Sequence, residues 1–373
     1  MKNGLRRKFA RNISYAFTAQ FFTLVVNLLM TLIVSKILGV EQFSYWQLFI
    51  FYSGYVGLLH FGLTDGVYLR YGGIALDEME ASIIGAQMRL MMLIQFLISS
   101  IVILIVSLNG FSDRGIVWLC IAIYLVLANL FWYLGYIFQA ANETKVYSFA
   151  IIIVKTLFII FTFILIFLRT KIFIPFIAAF LISHLIGTLY IVWKGRRFFC
   201  APRIALHRTI HQAWENIRVG INLTIANIAS SLILGVGRMM IDAAQGITTF
   251  GMVSLALSLT NFFLQFISQV SLVMFPMLRK FDQQRQKQIY MQLRKLLSYA
   301  LCGIMVLYAP TRFILARWLP QYELSLVYLG ILLPICIFDG KTQLLYNTYL
   351  KVLRKENALL KINIGVLLLS IIL

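Results

Sequence analysis

The sequence predicts an all-α integral membrane protein. The expected form is a polytopic helix bundle of two parallel six-helix lobes, the second incomplete at its C-terminus, with about 11 of 12 or more spans present. Three observations predict it. The chain is 61% hydrophobic and 12% charged, against about half and a quarter in a soluble domain. Its apolar residues fall in runs of roughly twenty, the length an α-helix needs to cross about 30 Å of hydrocarbon. Its lysines and arginines gather in alternate gaps between the runs, as they do in cytoplasmic loops. A β-barrel would need alternating strands of about ten residues, and the sequence has no such pattern.

Taken in order, the runs give spans at 13–38, 44–63, 82–108, 115–140, 146–168, 172–193, 219–241, 248–278, 296–315 and 324–350. An eleventh opens near Ala358 and is still apolar at Leu373. With the N-terminus in the cytoplasm, Lys36, Arg114, Arg169, Lys171, Arg238, Arg312 and Arg317 fall outside. Lys155 and Lys341 lie within spans, and the rest of the 33 basic residues face the cytoplasm. The net charge of +20 is therefore read as loop bias and not as affinity for nucleic acid. Cys120, Cys200, Cys302 and Cys336 form no CxxC pair and read as small apolar residues, with no metal site. The run after the basic start is too long for the apolar part of a cleaved signal.

The longest interruption, 194–218, holds Pro202 and a basic amphipathic stretch. It reads as a cytoplasmic linker with an interfacial helix on anionic headgroups. The expected organisation is an N-terminal lobe at 1–200 (spans 1–6), a linker at 201–218 and a C-terminal lobe at 219–373 (spans 7–11). The lobes resemble each other. Leu38-Gly39-Val40-Glu41-Gln42-Phe43-Ser44 follows the first span of one, and Gln245-Gly246-Ile247-Thr248-Thr249-Phe250-Gly251 follows the first span of the other. Each is a Gly-x-x-x-Phe-small turn. Six spans return the chain to its starting side, so the copies are parallel. A second unit as long as the first would run past Leu373, so the last helix or helices are expected to be missing.

The opening resembles a known family. Arg11-Asn12 precedes the first span. Ser35-Lys36-Ile37-Leu38-Gly39-Val40-Glu41-Gln42-Phe43-Ser44-Tyr45-Trp46, then Phe61-Gly62-Leu63-Thr64-Asp65-Gly66 and Arg70, are similar to the start of Wzx-type flippases of O-antigen and lipid-linked oligosaccharides. These belong to the multidrug/oligosaccharidyl-lipid/polysaccharide (MOP) exporter superfamily. Gly246, Phe250 and Gly251, and Phe275-Pro276 before Arg279, fit the same plan. The resemblance implies a two-lobed transporter of the bacterial inner membrane. It departs in span number, since the family has twelve to fourteen.

Ionisable groups inside spans mark function by default, because a charge at mid-bilayer costs about 2.5–3.5 kcal/mol on insertion scales. Lys155 and Lys341 are the clearest. With Arg238 and Arg70 they make a candidate cationic set for an anionic substrate. Asp65, Asp242, Asp339 and His184 are candidate sites for a coupling proton or sodium ion. Each has a plainer alternative. Arg238 and Asp242, at i and i+4, suit a surface pair; Asp65 and Arg70 suit either a gate or an interfacial pair; His184 suits a single hydrogen-bonded ring. Asp339 and Lys341, two residues apart, share a face only where Pro334 or Gly340 breaks the helix. No nucleophile elbow, P-loop or HExxH pattern is present, so an enzyme is not expected and transport would draw on a gradient. The expected function is translocation of a polyprenyl-pyrophosphate-linked oligosaccharide by alternating access, with no cofactor and with the polymerase and glycosyltransferases of the same pathway as partners. The alternatives are a cation-coupled multidrug exporter and a membrane enzyme of glycan assembly.

Overall fold

The computed structural model describes residues 2–278, 283–306, 308–347, 349, 361–362, 365–366 and 368–369. Among them every regular element is helical, as lipid requires of a chain without a closed barrel. The order is α1 (Lys2–Ile37), α2 (Val40–Ser53), a 3₁₀ turn (Val56–His60), α3 (Leu63–Arg70), α4 (Ala81–Asn109), α5 (Asp113–Ala140), α6 (Thr144–Phe167), α7 (Phe173–Lys194) and α8 (Arg196–Phe199). Then come α9 (Leu206–Leu278), α10 (Gln283–Val306), α11 (Tyr308–Trp318) and α12 (Glu323–Lys341), which ends in a π-helical turn at Thr342–Asn347. Among the described residues, seven segments are long and apolar enough to cross a membrane, one each in α1, α4, α5, α6, α7, α9 and α12.

The chain divides into two compact units, Met1–Thr23 with Tyr45–Ile228, and Leu24–Ser44 with Ala229–Leu373. The core of the first is built on α3–α7, with Val67, Met88, Tyr133, Leu134, Ile137 and Ala150 closed to solvent. The core of the second gathers Ala256, Leu259, Leu326 and Leu329.

Two elements differ from the sequence reading for physical reasons, while the turn at Gly246 is as expected and α12 takes one of the two forms left open. The second span is not one helix but α2, the 3₁₀ turn and α3. Phe61 (φ 52°) and Gly62 (φ 85°) take left-handed conformations that stop a helix. The carbonyls this frees are met by amides of neighbouring helices. Gln95 Nε2 donates to Leu59 O at 2.6 Å, and Asn129 Nδ2 donates to Val56 O at 3.1 Å and to Gln95 Oε1 at 3.0 Å. A break at this depth is tolerated only where it is buried in protein in this way.

The basic stretch before residue 219 is not a separate interfacial helix. From Leu206 it runs without a break into the seventh span. Arg208 bonds Glu80 at 3.3 Å, and the buried residues Thr209, Ala213, Asn216 and Gly220 set one face inward. The seventh and eighth spans meet at Gly246 (φ 83°, ψ 176°). Arg238 Nη2 donates to Ser254 Oγ at 2.7 Å across that bend. Sixteen residues of straight helix would separate them by about 24 Å, so the two arms of α9 fold back on each other. Last, α12 passes through Pro334 and Gly340 unbroken. The eleventh span falls largely outside the described residues.

The repeated turn is visible in the second unit. Gly39 lies between α1 and α2 and Gly246 lies at the α9 bend. Phe43 and Phe250 are both closed to solvent. A Cβ on Gly251 would overlap Ser44 Oγ, so the last residues of the two motifs touch. Tyr322 stacks edge-on against Phe43 at 5.5 Å and donates to Leu38 O at 3.3 Å. Lys36 Nζ donates to Trp318 O at 2.5 Å.

Candidate functional site

In the first unit, α6 places Lys155 half-buried at mid-span, about 60° round the helix from the buried Phe158. The helix can sit close to α7 because Gly187 faces Val154, where a Cβ would overlap Val154 Cγ2. His184 on α7 lies near enough to Lys155 to feel its charge. Its Nδ1 lies 3.0 Å from Phe180 O, and its Nε2 lies 3.5 Å from Tyr124 Oη on α5. Around them Trp46, Phe49, Phe158 and Phe180 stack in a chain of rings, with Trp46–Phe158 at 5.8 Å and Phe180–His184 at 4.2 Å. The set is an ammonium, an imidazole and a phenol on three helices, inside an aromatic wall. A cation there acts on a bound anion with little solvent screening.

A second polar group of the first unit lies where α3 meets the first arm of α9. Asp65 is 6% exposed and accepts from Thr224 Oγ1. Arg70 donates to Asn216 Oδ1 at 2.8 Å and to Glu215 Oε2 at 2.7 Å. Asn216 Nδ2 in turn donates to Gln87 Oε1 at 2.6 Å, and Glu215 stands 3.6 Å from His211. The helices touch backbone to backbone. A Cβ on Gly220 would overlap Gly62 O and Gly66 N, and one on Gly66 would overlap Asn216 O. Asp65 and Arg70, weighed as a pair in the sequence, each take their partners from α9.

In the second unit Arg238 lies across the α9 bend, with its guanidinium 5.1 Å from the Phe250 ring. Asp242 is one turn further on and buried. This is an inward arrangement, not a surface pair. Asp339 and Lys341 sit half-buried near the end of α12. Two residues of unbroken helix turn them about 200° apart, onto different faces.

The sequence reading missed Tyr124, Thr224, Asn216 and Gln87. No local pattern marks them. For Thr224, Asn216 and Gln87 the one available signal was the pair of small residues Gly66 and Gly220, which permits the close approach of α3 and α9.

The profile of a family described as polysaccharide biosynthesis protein matches residues 9–282. No curated protein gives a match by sequence. Among solved structures, the fold is similar to an inward-facing multidrug resistance MATE family transporter of the MOP superfamily. The TM-score is 0.67 at 14% identity, over 92% of this chain and 83% of that one. A MATE transporter in complex with MaL6 gives 0.60 at 12%, over 95% and 85%. A MOP superfamily transporter from Pyrococcus furiosus, described for the reverse polarity of its binding pocket, gives 0.50 at 12%, over 98% and 92%. At these identities the likeness is one of fold.

Proposed function

We propose, from the premise that the chain belongs to the polysaccharide biosynthesis protein family and has the fold of a multi-pass transporter, that it moves a polyprenyl-pyrophosphate-linked oligosaccharide across the bacterial cytoplasmic membrane by alternating access. The observation that carries this reading is Lys155, an ammonium set in an apolar span near His184, which in turn reaches Tyr124. A charge at that depth costs about 2.5–3.5 kcal/mol to insert. An anionic substrate gives it a use.

Lys341 of the second unit is also proposed as a substrate-binding cation. Arg70 and Arg238 are held by Glu215, Asn216 and Ser254, which supports a bracing role for both. Asp65, Asp242, Asp339 and His184 are the groups proposed to take a coupling proton or sodium ion. No other cofactor is proposed. The N-terminus is placed in the cytoplasm, since that puts most loop lysines and arginines inside. The polymerase and glycosyltransferases of the same pathway are the proposed partners.

A cation-coupled drug exporter is the second reading, favoured by the fold shared with MATE transporters. A drug cation would be repelled by Lys155 and Lys341. Vesicles reconstituted with the protein separate the two. Lipid-linked oligosaccharide placed in one leaflet is expected to become accessible to a membrane-impermeant glycosidase at the other. No gain over protein-free vesicles, with gradient-driven movement of a cationic dye, would select the exporter.

A further inference from the structure

Two phenols meet where α3 packs against α5. Tyr68 on α3 and Tyr136 on α5 bring their rings to 5.5 Å, inclined at 55°. Tyr68 is 39% exposed and Tyr136 is half-buried, so part of the pair is open to its surroundings. Near it lies polar ground. The Asp65 carboxylate is near enough to act on the Tyr136 phenol, and Thr224 donates to that carboxylate.

The ground distinguishes this pair from the aromatic belt of a membrane protein. Belt rings stand at the headgroup level beside snorkelling cations, as Trp193 does here, 59% exposed with the Lys194 ammonium 4.4 Å from its ring. Tyr68 and Tyr136 instead have a buried carboxylate close by, that of Asp65, which Thr224 holds.

We infer that Tyr68 and Tyr136 form a binding surface for a sugar ring of the glycan headgroup. A pyranose has an apolar face of C–H groups, which lies on an aromatic ring, and a rim of hydroxyls, which needs donors and acceptors. Two tilted phenols supply both, since each combines a flat apolar body with a hydroxyl. Thr224 holds the Asp65 carboxylate in the neighbourhood of Tyr136. This inference rests on the reading of the protein as a translocator of lipid-linked oligosaccharide and names the part of the substrate that the pair recognises.

The test measures binding of two purified lipids to the full chain in detergent. One is the oligosaccharide-bearing polyprenyl pyrophosphate from the source cells, the other the bare polyprenyl pyrophosphate. Wild type is expected to bind the glycan-bearing lipid more tightly. Tyr68→Ala is expected to weaken that binding about tenfold, of the order of one aromatic contact. It should leave binding of the bare lipid unchanged, which also reports that the variant is folded. Tyr68→Phe, which keeps the ring, should lie within about threefold of wild type. Equal loss for both lipids, or no loss for either, overturns the sugar-binding role of the pair while leaving the translocation reading intact. A wild type that binds neither lipid removes the translocation reading, and this inference with it.

Discussion

Replacing Lys155 and Lys341 together by methionine is expected to lower export of lipid-linked glycan at least tenfold, with the protein still present in the membrane at its normal level. The reason is the chemistry of the cargo. A pyrophosphate leaving water for a half-buried site loses its hydration and needs cations in its place. At about 4 Å and an effective dielectric constant of about 20, one ion pair is worth roughly 4 kcal/mol. Loss of even a third of that is a factor of ten in an equilibrium constant. The lysines are half-buried, and methionine keeps much of their length and apolar stem. Stability is expected to hold or rise, because a costly buried charge is gone. Lys155→Arg alone keeps the charge and should retain most of the export. Export at wild-type level in the double variant would show that neither ammonium meets the substrate.

Gly220→Leu is expected to abolish the folded protein, so that no monodisperse species is recovered in detergent. Any Cβ at this position meets Gly62 O and Gly66 N, which are backbone atoms of the facing segment. Neither can step aside as a flexible side chain does. Overpacking a core usually costs about 1–3 kcal/mol. Here it also separates Thr224 from Asp65 and Arg70 from Glu215 and Asn216, which leaves a buried carboxylate without its donor. Gly237, on the same helix, has nothing within 4 Å of its Cβ position. Gly237→Leu is therefore the control and should fold. If both variants are recovered alike, the close contact of α3 with α9 is not what fixes this part of the first unit.

The contrast between these two glycines shows where the sequence is legible and where it is not. Apolar runs about twenty residues long identify spans, because the bilayer imposes one length on every crossing. Gly39 and Gly246 could be found as turns because each is repeated at the same distance before a phenylalanine and a small residue, and both proved to be bends. The break in the second span was not legible. Its run of apolar residues satisfies lipid whether or not it is one helix, and the amides that support the break, Gln95 and Asn129, come from α4 and α5. The linker misled for a related reason. A basic amphipathic stretch looks the same whether it lies on headgroups or extends a span, and only its contacts along Thr209, Ala213, Asn216 and Gly220 decide.

Among the site residues, charge within an apolar run pointed to Lys155 and Lys341, and charge at the inner end of one pointed to Asp65. It did not show their partners. His184 was visible as a lone ring, but its closeness to Lys155 and Tyr124 is a product of the α5–α6–α7 packing. Arg238 looked like half of a surface pair because i and i+4 spacing is all a sequence offers. Its bond to Ser254 depends on the fold-back at Gly246.

The most direct test of the central claim is to delete the gene in its own host. Surface polysaccharide and the lipid-linked oligosaccharide on the cytoplasmic face are then both measured, before and after the coding region is returned. Translocation predicts that surface glycan is lost while the inner pool builds up, and that both effects reverse with the returned gene. Normal surface glycan with an unchanged inner pool would contradict it.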